Sequence, residues 1–218
     1  MLIVEYFENF NFPNLEKANK DGLLGFSFDI SVEQVLKALT IGIFPWYEAN
    51  SFPFLWWAPD PRFVVFPNKI KVSKSLKQSY KKFEFAINKN FEQVIFNCAN
   101  INRRGQNGTW IDDEMIFIYT QLYRLGYGMS FETYFQGDLV GGLYGVNLGG
   151  VFIGESMFYT KTDASKSAFV FLANYCLENN IKIIDCQLHT PLLESLGGEY
   201  ISRNKYSIYL SKFVEINI

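Results

Sequence analysis

One stretch, Asp138 to Gln187, constrains this chain more than any other. It opens as DLVGGLYGVNLGGVFIGESMFY, where β-branched and aromatic residues flank the Gly-rich break Asn147-Leu148-Gly149-Gly150. That pattern predicts two strands joined by a tight turn. A helix follows, capped by Asp163, with an apolar face through Ala168, Phe169, Leu172, Ala173 and Cys176 at helical spacing. The stretch closes in a short buried strand from Ile181 to Leu188, where alternation puts Asp185 and Gln187 on one face and Cys186 on the other. A carboxylate and an amide side by side, next to a strand carrying Glu155, form the most chemically loaded arrangement in the sequence. Two readings stand: carboxylates satisfied within a core, or members of a reactive site.

The rest of the chain builds around this stretch. With 218 residues, 49% of them hydrophobic and 19% charged, it can bury a core and is not a disordered chain. Residues 1–30 read as irregular. Ser31 then starts a helix with Gln34 at the capping-box position and a buried stripe of Val32, Val35, Leu36 and Leu39, stopping at Gly42. The prolines of Gly42-Ile-Phe-Pro-Trp46 and Trp56-Trp-Ala-Pro-Asp-Pro-Arg62 argue for stiff loops carrying three tryptophans. Trp56 and Trp57 either seal an interface or line a site, and Trp46 is the sharper site candidate. The Pro-Asp-Pro stretch places a boundary near residue 62, giving a small N-terminal domain (1–62) and a larger C-terminal one (63–218).

From residue 63 the predicted order is β-α-β-α-α-β-β-β-α-β-α-β, with a last strand at Tyr206–Leu210. This is an α+β, mostly antiparallel arrangement of the acetyltransferase type. Within it, Ser73 caps a helix in a stretch without acidic residues, and Lys74, Lys77 and Lys81 fall on one helical face, followed by Lys82. They form either a solvated face or phosphate contacts that position RNA without reading its sequence. Arg103-Arg-Gly-Gln-Asn-Gly108 reads as a flexible basic loop delivering Trp110 to the start of a helix from Asp112 to Leu125.

Several chemistries fail. A serine hydrolase needs a histidine base, and the single His189 has no nucleophile elbow to serve. Gly141-Gly-Leu-Tyr-Gly145 lies between strands and lacks the dinucleotide-binding spacing. One histidine and three scattered cysteines offer no metal site. An acetyl-CoA cradle is missing too, because Thr160-Lys-Thr-Asp-Ala-Ser-Lys166 has no glycine where backbone amides would meet a pyrophosphate. Cys98, Cys176 and Cys186 read as reduced core thiols of a cytoplasmic protein. The N-terminus lacks a basic leader, and no apolar run approaches the roughly 20 residues that span a bilayer. A net charge of −2 argues against a nucleic-acid-coated protein but leaves room for a local basic strip.

Taken with Gly108-Thr-Trp-Ile111, Leu139-Val-Gly-Gly-Leu-Tyr-Gly-Val146, Gly154-Glu-Ser-Met-Phe158, Ala164-Ser-Lys166, Ile184-Asp-Cys-Gln187 and Ser195-Leu-Gly197, the Trp-bearing motifs above make the chain resemble the leucyl/phenylalanyl-tRNA–protein transferases from about Phe12 to Arg203. The resemblance implies a GNAT-like C-terminal domain and no metal or organic cofactor. The implied enzyme moves Leu or Phe, and less well Met, from Leu-tRNA or Phe-tRNA onto proteins beginning with Arg or Lys, marking them for N-degron degradation. Where the family has Ala-His-Ser this chain has Gly128-Met129-Ser130. Leu192 stands for a usual histidine, Leu122-Tyr123 for a Leu-His pair, and Ser27-Phe28-Asp29-Ile30 for Gly-Gly-Asp-Leu. None of those histidines can therefore serve as base here.

The implied site has Asp185 fixing the Gln187 amide, which relays or orients the attacking amine, and Glu155 holding the network or the basic acceptor. Phe152, Met157, Phe169, Leu172 and Ile184, with Ser156, would receive the acyl side chain, although these residues read equally well as core. Trp46 and Trp110 would clasp the adenosine end. Lys74, Lys77, Lys81 and Lys82 would meet the tRNA acceptor stem. No dimerisation segment is evident, so a monomer is expected. A catalytically silent RNA- or degron-binding module, or an acyltransferase with another donor, are the alternative readings.

Overall fold

A computed structural model describes residues 5–8, 10–101 and 109–216, which build two sheets. In the N-terminal part, β1 (Glu5–Tyr6), β2 (Leu23–Ser27), β3 (Phe44–Pro45) and β4 (Phe54–Trp57) lie in the order β1-β2-β4-β3. Helix α1 (Val32–Thr40) runs between β2 and β3, with Ser31 Oγ accepting the Gln34 N–H at its start and Gly42 at φ +87° just past its end.

Two expectations are corrected here. The first 30 residues are not wholly irregular, since among the described ones Glu5 pairs with Gly25 and Tyr6 with Phe26, partners too far apart in sequence to leave a local pattern. Trp56 and Trp57 sit on a strand, not a loop. Pro53 precedes that strand and Pro45 lies on edge strand β3, where a missing N–H is tolerated. Trp56 is fully buried against Phe7 and Phe12 and donates Nε1–H to Ser27 Oγ at 2.8 Å, so it is the centre of this small sheet's core.

The larger part continues with β5 (Arg62–Val65), α2 (Lys74–Tyr80), β6 (Glu84–Ile87), α3 (Phe91–Asn100), α4 (Asp113–Arg124), β7 (Gly128–Phe135), β8 (Asp138–Asn147) and β9 (Val151–Tyr159). It ends with α5 (Ala164–Glu178), β10 (Ile183–Asp185), α6 (Pro191–Ser195), β11 (Glu199–Ile201) and α7 (Arg203–Phe213). The sheet order is β11-β5-β10-β9-β8-β7-β6, and its pairs are antiparallel except β10 with β9. The predicted succession of elements is therefore observed, with one correction at its end. Tyr206–Leu210 is helical, and the last strand is Glu199–Ile201. Ser202 caps that helix through Lys205 N–H, and burial of Tyr206 and Leu210 at i and i+4 leaves Ile208 on the exposed side.

Alternation along the strands feeds two cores, one on each face of the sheet. Phe63, Val65, Leu143, Phe152 and Ile184 pack with α5 through Ala168, Phe169, Leu172 and Cys176. Val64, Phe66, Tyr144, Val151, Ile153 and Ile183 point the other way, into a core shared with α3, α4, α7 and the N-terminal sheet. A strand covered on both faces needs apolar residues at every position, and "RFVV" and "IID" meet that need except for Arg62 and Asp185. These two are the polar exceptions on those two strands. The basic loop predicted at Arg103–Gly108 lies outside the described residues. The three cysteines are buried and none is in a disulfide.

Candidate active site

The site begins where β9 and β10 run side by side, Ile153 opposite Asp185. Across β9's other edge, Tyr144 pairs with Ser156 and Gly145 with Gly154, so Glu155 is an extra residue without a partner, a β-bulge. Bulges of this kind interrupt the ladder and re-aim a side chain. Gly145 makes this one possible, because a Cβ there would collide with the Ile153 carbonyl oxygen and the Phe152 ring.

Asp185 is wholly buried and fully engaged. Its Oδ1 accepts Arg62 Nε–H at 2.8 Å and the Gln187 backbone N–H at 2.9 Å. Its Oδ2 accepts Arg62 Nη2–H and the Tyr206 hydroxyl, both at 2.7 Å. A carboxylate offers about four acceptor positions, and all are taken. Burial would lower the pKa of the enclosed Arg62, but the Asp185 charge and its hydrogen bonds overcome that and hold it above the ordinary value. Burial, then the Asp185 charge, likewise drives the Tyr206 hydroxyl well up.

The expected relation between Asp185 and Gln187 is corrected. The strand stops at Asp185, and Gln187 adopts φ +55°, so strand alternation no longer governs it. Asp185 holds the Gln187 backbone, not its side-chain amide. That amide's Nε2 is buried without a hydrogen-bond partner.

Glu155 contrasts with Asp185. Its Oε1 and the nearby Tyr119 hydroxyl are both sealed from water, close enough to act on one another but without a well-formed hydrogen bond. The Glu155 carboxyl is pushed up to about 8, chiefly by burial with help from the Asp185 charge, while Tyr119 and Arg62 pull the other way. Tyr119, on α4, is in turn driven well above its usual range by burial and by Glu155. Trp110 meets the Tyr119 ring edge-on at 6.1 Å. Trp110, Tyr119, Glu155 and the Asp185–Gln187 turn thus form one connected set.

Trp46 belongs to the same neighbourhood through the backbone. The loop after it is stapled to the segment carrying Trp110 by the Ala49 N–H to the Thr109 carbonyl (3.1 Å), Tyr47 hydroxyl to Asp112 Oδ1 (3.2 Å) and Asn50 N–H to Asp112 Oδ2 (3.2 Å). Asp112 also caps α4 by accepting the Met115 N–H. Trp46 itself is 37% exposed and packs on Trp57 at 5.3 Å, an open face of the kind a planar ring can stack on.

The acyl-pocket candidates lie on the α5 side of the same strands. Phe152, Phe169, Leu172 and Ile184 are almost completely buried in the α5-side core, while Asp185, Arg62 and Tyr206 face the opposite side of the sheet. Met157 packs on that α5-side core and is part-exposed, as is Ser156. Lys74, Lys77 and Lys81 line one surface hollow of about 620 Å³ together with Gln78, Tyr80 and Val170. Lys82 is exposed just past α2. Among the described residues no group of three or more His, Cys, Asp or Glu side chains is gathered as a metal set, and no helix is long and apolar enough to cross a membrane.

Sequence reasoning missed Arg62, Tyr206 and Tyr119 as site residues. The signal for Arg62 was present: an arginine opening an otherwise apolar strand must find a partner if buried. Nothing local marked the two tyrosines.

Comparison with known proteins bears on the same residues. The family model of the leucyl/phenylalanyl-tRNA protein transferases matches residues 64–211, and that of their N-terminal domain matches 28–60. The leucyl/phenylalanyl-tRNA–protein transferase of Legionella pneumophila (strain Corby) is 48% identical over 202 residues, covering 92% of this chain and 90% of that protein. That of Flavobacterium johnsoniae is 46% identical over 209 residues, covering 94% and 98%. Among solved structures, a GCN5-related N-acetyltransferase-like protein from Streptococcus suis aligns with a TM-score of 0.38 at 14% identity, over 81% of this chain and 67% of that one.

Proposed function

The chain belongs to the leucyl/phenylalanyl-tRNA–protein transferase family, and from that premise we propose that it transfers Leu or Phe, and less well Met, from aminoacyl-tRNA to the N-terminal Arg or Lys of proteins. Such a product carries an N-degron. The reading is supported above all by one observation: Glu155 Oε1 and Gln187 Nε2, near the paired ends of β9 and β10, are both enclosed and both unsatisfied. Buried polar groups in proteins are rarely left so, and a polar substrate at this point would supply their partners.

In the reaction the acceptor's α-amine attacks the ester carbonyl carbon, the new C–N bond forms, and the bond from that carbon to the ribose oxygen breaks as the oxygen takes up a proton. The ester arrives activated, so alignment and stabilisation of the tetrahedral oxyanion carry most of the rate. An α-ammonium of pKa about 7.7–8.0 must lose a proton first. Glu155, pushed up to about 8, is matched to take that proton near neutral pH. Gln187 orients the reacting groups, its amide too weak a base to do more. Trp46 and Trp110 clasp the adenosine. The acyl side chain enters past the part-exposed Met157 toward Phe152, Phe169, Leu172 and Ile184, with Ser156 at the rim. Lys74, Lys77, Lys81 and Lys82 meet acceptor-stem phosphates. We further propose that the protein acts as a monomer in the cytoplasm and that its division falls near residue 62.

Incubation with labelled Phe-tRNA and an Arg-initiated peptide tests the function. Label on the peptide is expected; binding without transfer would make the chain a silent module, and neither would point to another acyl donor. Removing Lys74 and Lys77 together (Lys→Ala) should weaken tRNA use and reduce the salt slope of binding by about one unit per lysine. An unchanged slope returns them to a solvated face.

A further inference from the structure

The buried guanidinium of Arg62 does more than neutralise Asp185. Its Nη1–H donates to the Gly42 carbonyl at 3.2 Å, and its Cζ lies 4.7 Å from the centre of the Phe44 ring. Gly42 and Phe44 lead directly into Trp46. The other two nitrogens grip Asp185, whose Oδ1 in turn holds the Gln187 N–H in its left-handed turn. Tyr206 closes the arrangement with its hydroxyl on Oδ2 and its ring 4.9 Å from the guanidinium carbon. One planar group therefore touches the segment that presents Trp46 and the carboxylate that shapes the Gln187 turn.

We propose that Arg62 is a positioning residue for the transfer reaction: it holds the Trp46 wall and the Gln187 wall of the site in one register, with Asp185 as its fixed counter-ion and Tyr206 as the brace. The proposal rests on the transfer reading given above. Asp185 on this account moves no proton, since each of its acceptor positions is already occupied. Lysine cannot replace Arg62, because an ammonium lacks the planar fork that reaches two carboxylate oxygens and a carbonyl at once. A small displacement of one wall relative to the other is amplified in rate, since misplacement of about 1 Å can lower turnover about a hundredfold.

The test uses the full chain with Arg62→Lys and, separately, Tyr206→Phe, which removes one hydrogen bond and keeps the ring. Two quantities are measured: kcat and KM for Phe transfer to an Arg-initiated peptide, and calorimetric affinity for an amide-linked phenylalanyl-aminoadenosine, which binds but cannot be transferred. Circular dichroism confirms folding. Arg62→Lys is expected to lower kcat about a hundredfold and to weaken analogue binding about tenfold, because both walls loosen. Tyr206→Phe is expected to lower kcat about tenfold and leave the pH midpoint of kcat in place. A folded Arg62→Lys with wild-type kcat and analogue affinity overturns the proposal. So does a shifted pH midpoint in Tyr206→Phe, which would make Asp185 the titrating group. If Arg62→Lys does not fold, unchanged kcat in Tyr206→Phe overturns it. A wild-type chain that binds the analogue and transfers nothing overturns the transfer reading alone, and the analogue affinity of Arg62→Lys then decides the positioning role.

Discussion

Two carboxyl groups lie on neighbouring strands and live under opposite conditions. Asp185, at the end of β10, has four hydrogen bonds and an arginine beside it. Glu155, on the bulge of β9, has an oxygen sealed from water without a well-formed hydrogen bond in the protein, and burial pushes its carboxyl pKa up to about 8. The same chemical group is thus a strut in one place and an open valence in the other. The difference arises from backbone geometry: Asp185 is on a regular rung, whereas Glu155 is thrown out of the ladder by one extra residue. Chemistry belongs with the group that still has something to gain.

The sharpest way to break this comparison is to delete each carboxyl in turn. Asp185→Ala strands a buried guanidinium, and loss of one partner of such a pair costs about 3–5 kcal/mol. Glu155→Ala removes a carboxyl whose Oε1 has no well-formed hydrogen bond in the protein and should cost far less, as chemical denaturation would show; equal losses would erase the distinction. A smaller effect is expected at the bulge itself. Gly145→Ala sets a methyl against the Ile153 carbonyl, so overpacking of about 1–3 kcal/mol should accompany a loss of transfer as Glu155 is re-aimed. Wild-type turnover in that variant would show that the bulge has no role in catalysis.

The remaining test reads a slope. Below about 4.5 the Glu155 carboxyl is protonated in both the folded and the unfolded chain, so its full contribution to stability is present there. As pH rises the unfolded carboxyl ionises first, and stability falls until the folded group also ionises near about 8. Glu155→Gln should remove this part of the decline in melts run from pH 4.5 to 8; an unaltered slope would mean that Glu155 is not held protonated.

Much of this fold is legible because it is local. The Gly149 turn, the Ser73 cap and the stripe of α5 each declare themselves within a few residues, and each is where the pattern puts it. The terminal helix misleads because Tyr206, Ile208 and Leu210 alternate over too short a window to separate a period of 2 from one of 3.6. The N-terminal sheet is hidden because its strands are short and paired at long range. In the site, Glu155, Asp185 and Gln187 stood out as polar residues among apolar ones. What they do with one another did not, since Arg62 and Asp185 are 123 residues apart and complementarity at that range leaves no periodic trace.

The place of Arg62 in the chain has a practical consequence. It is the last residue before the proposed seam, yet its counter-ion sits on the far side of that seam, at the end of β10. A truncated fragment beginning at Phe63 would keep every strand of the larger sheet except the first residue of β5 and still enclose an orphaned anion. The larger part should therefore not be produced from Phe63 onward without restoring that one cation.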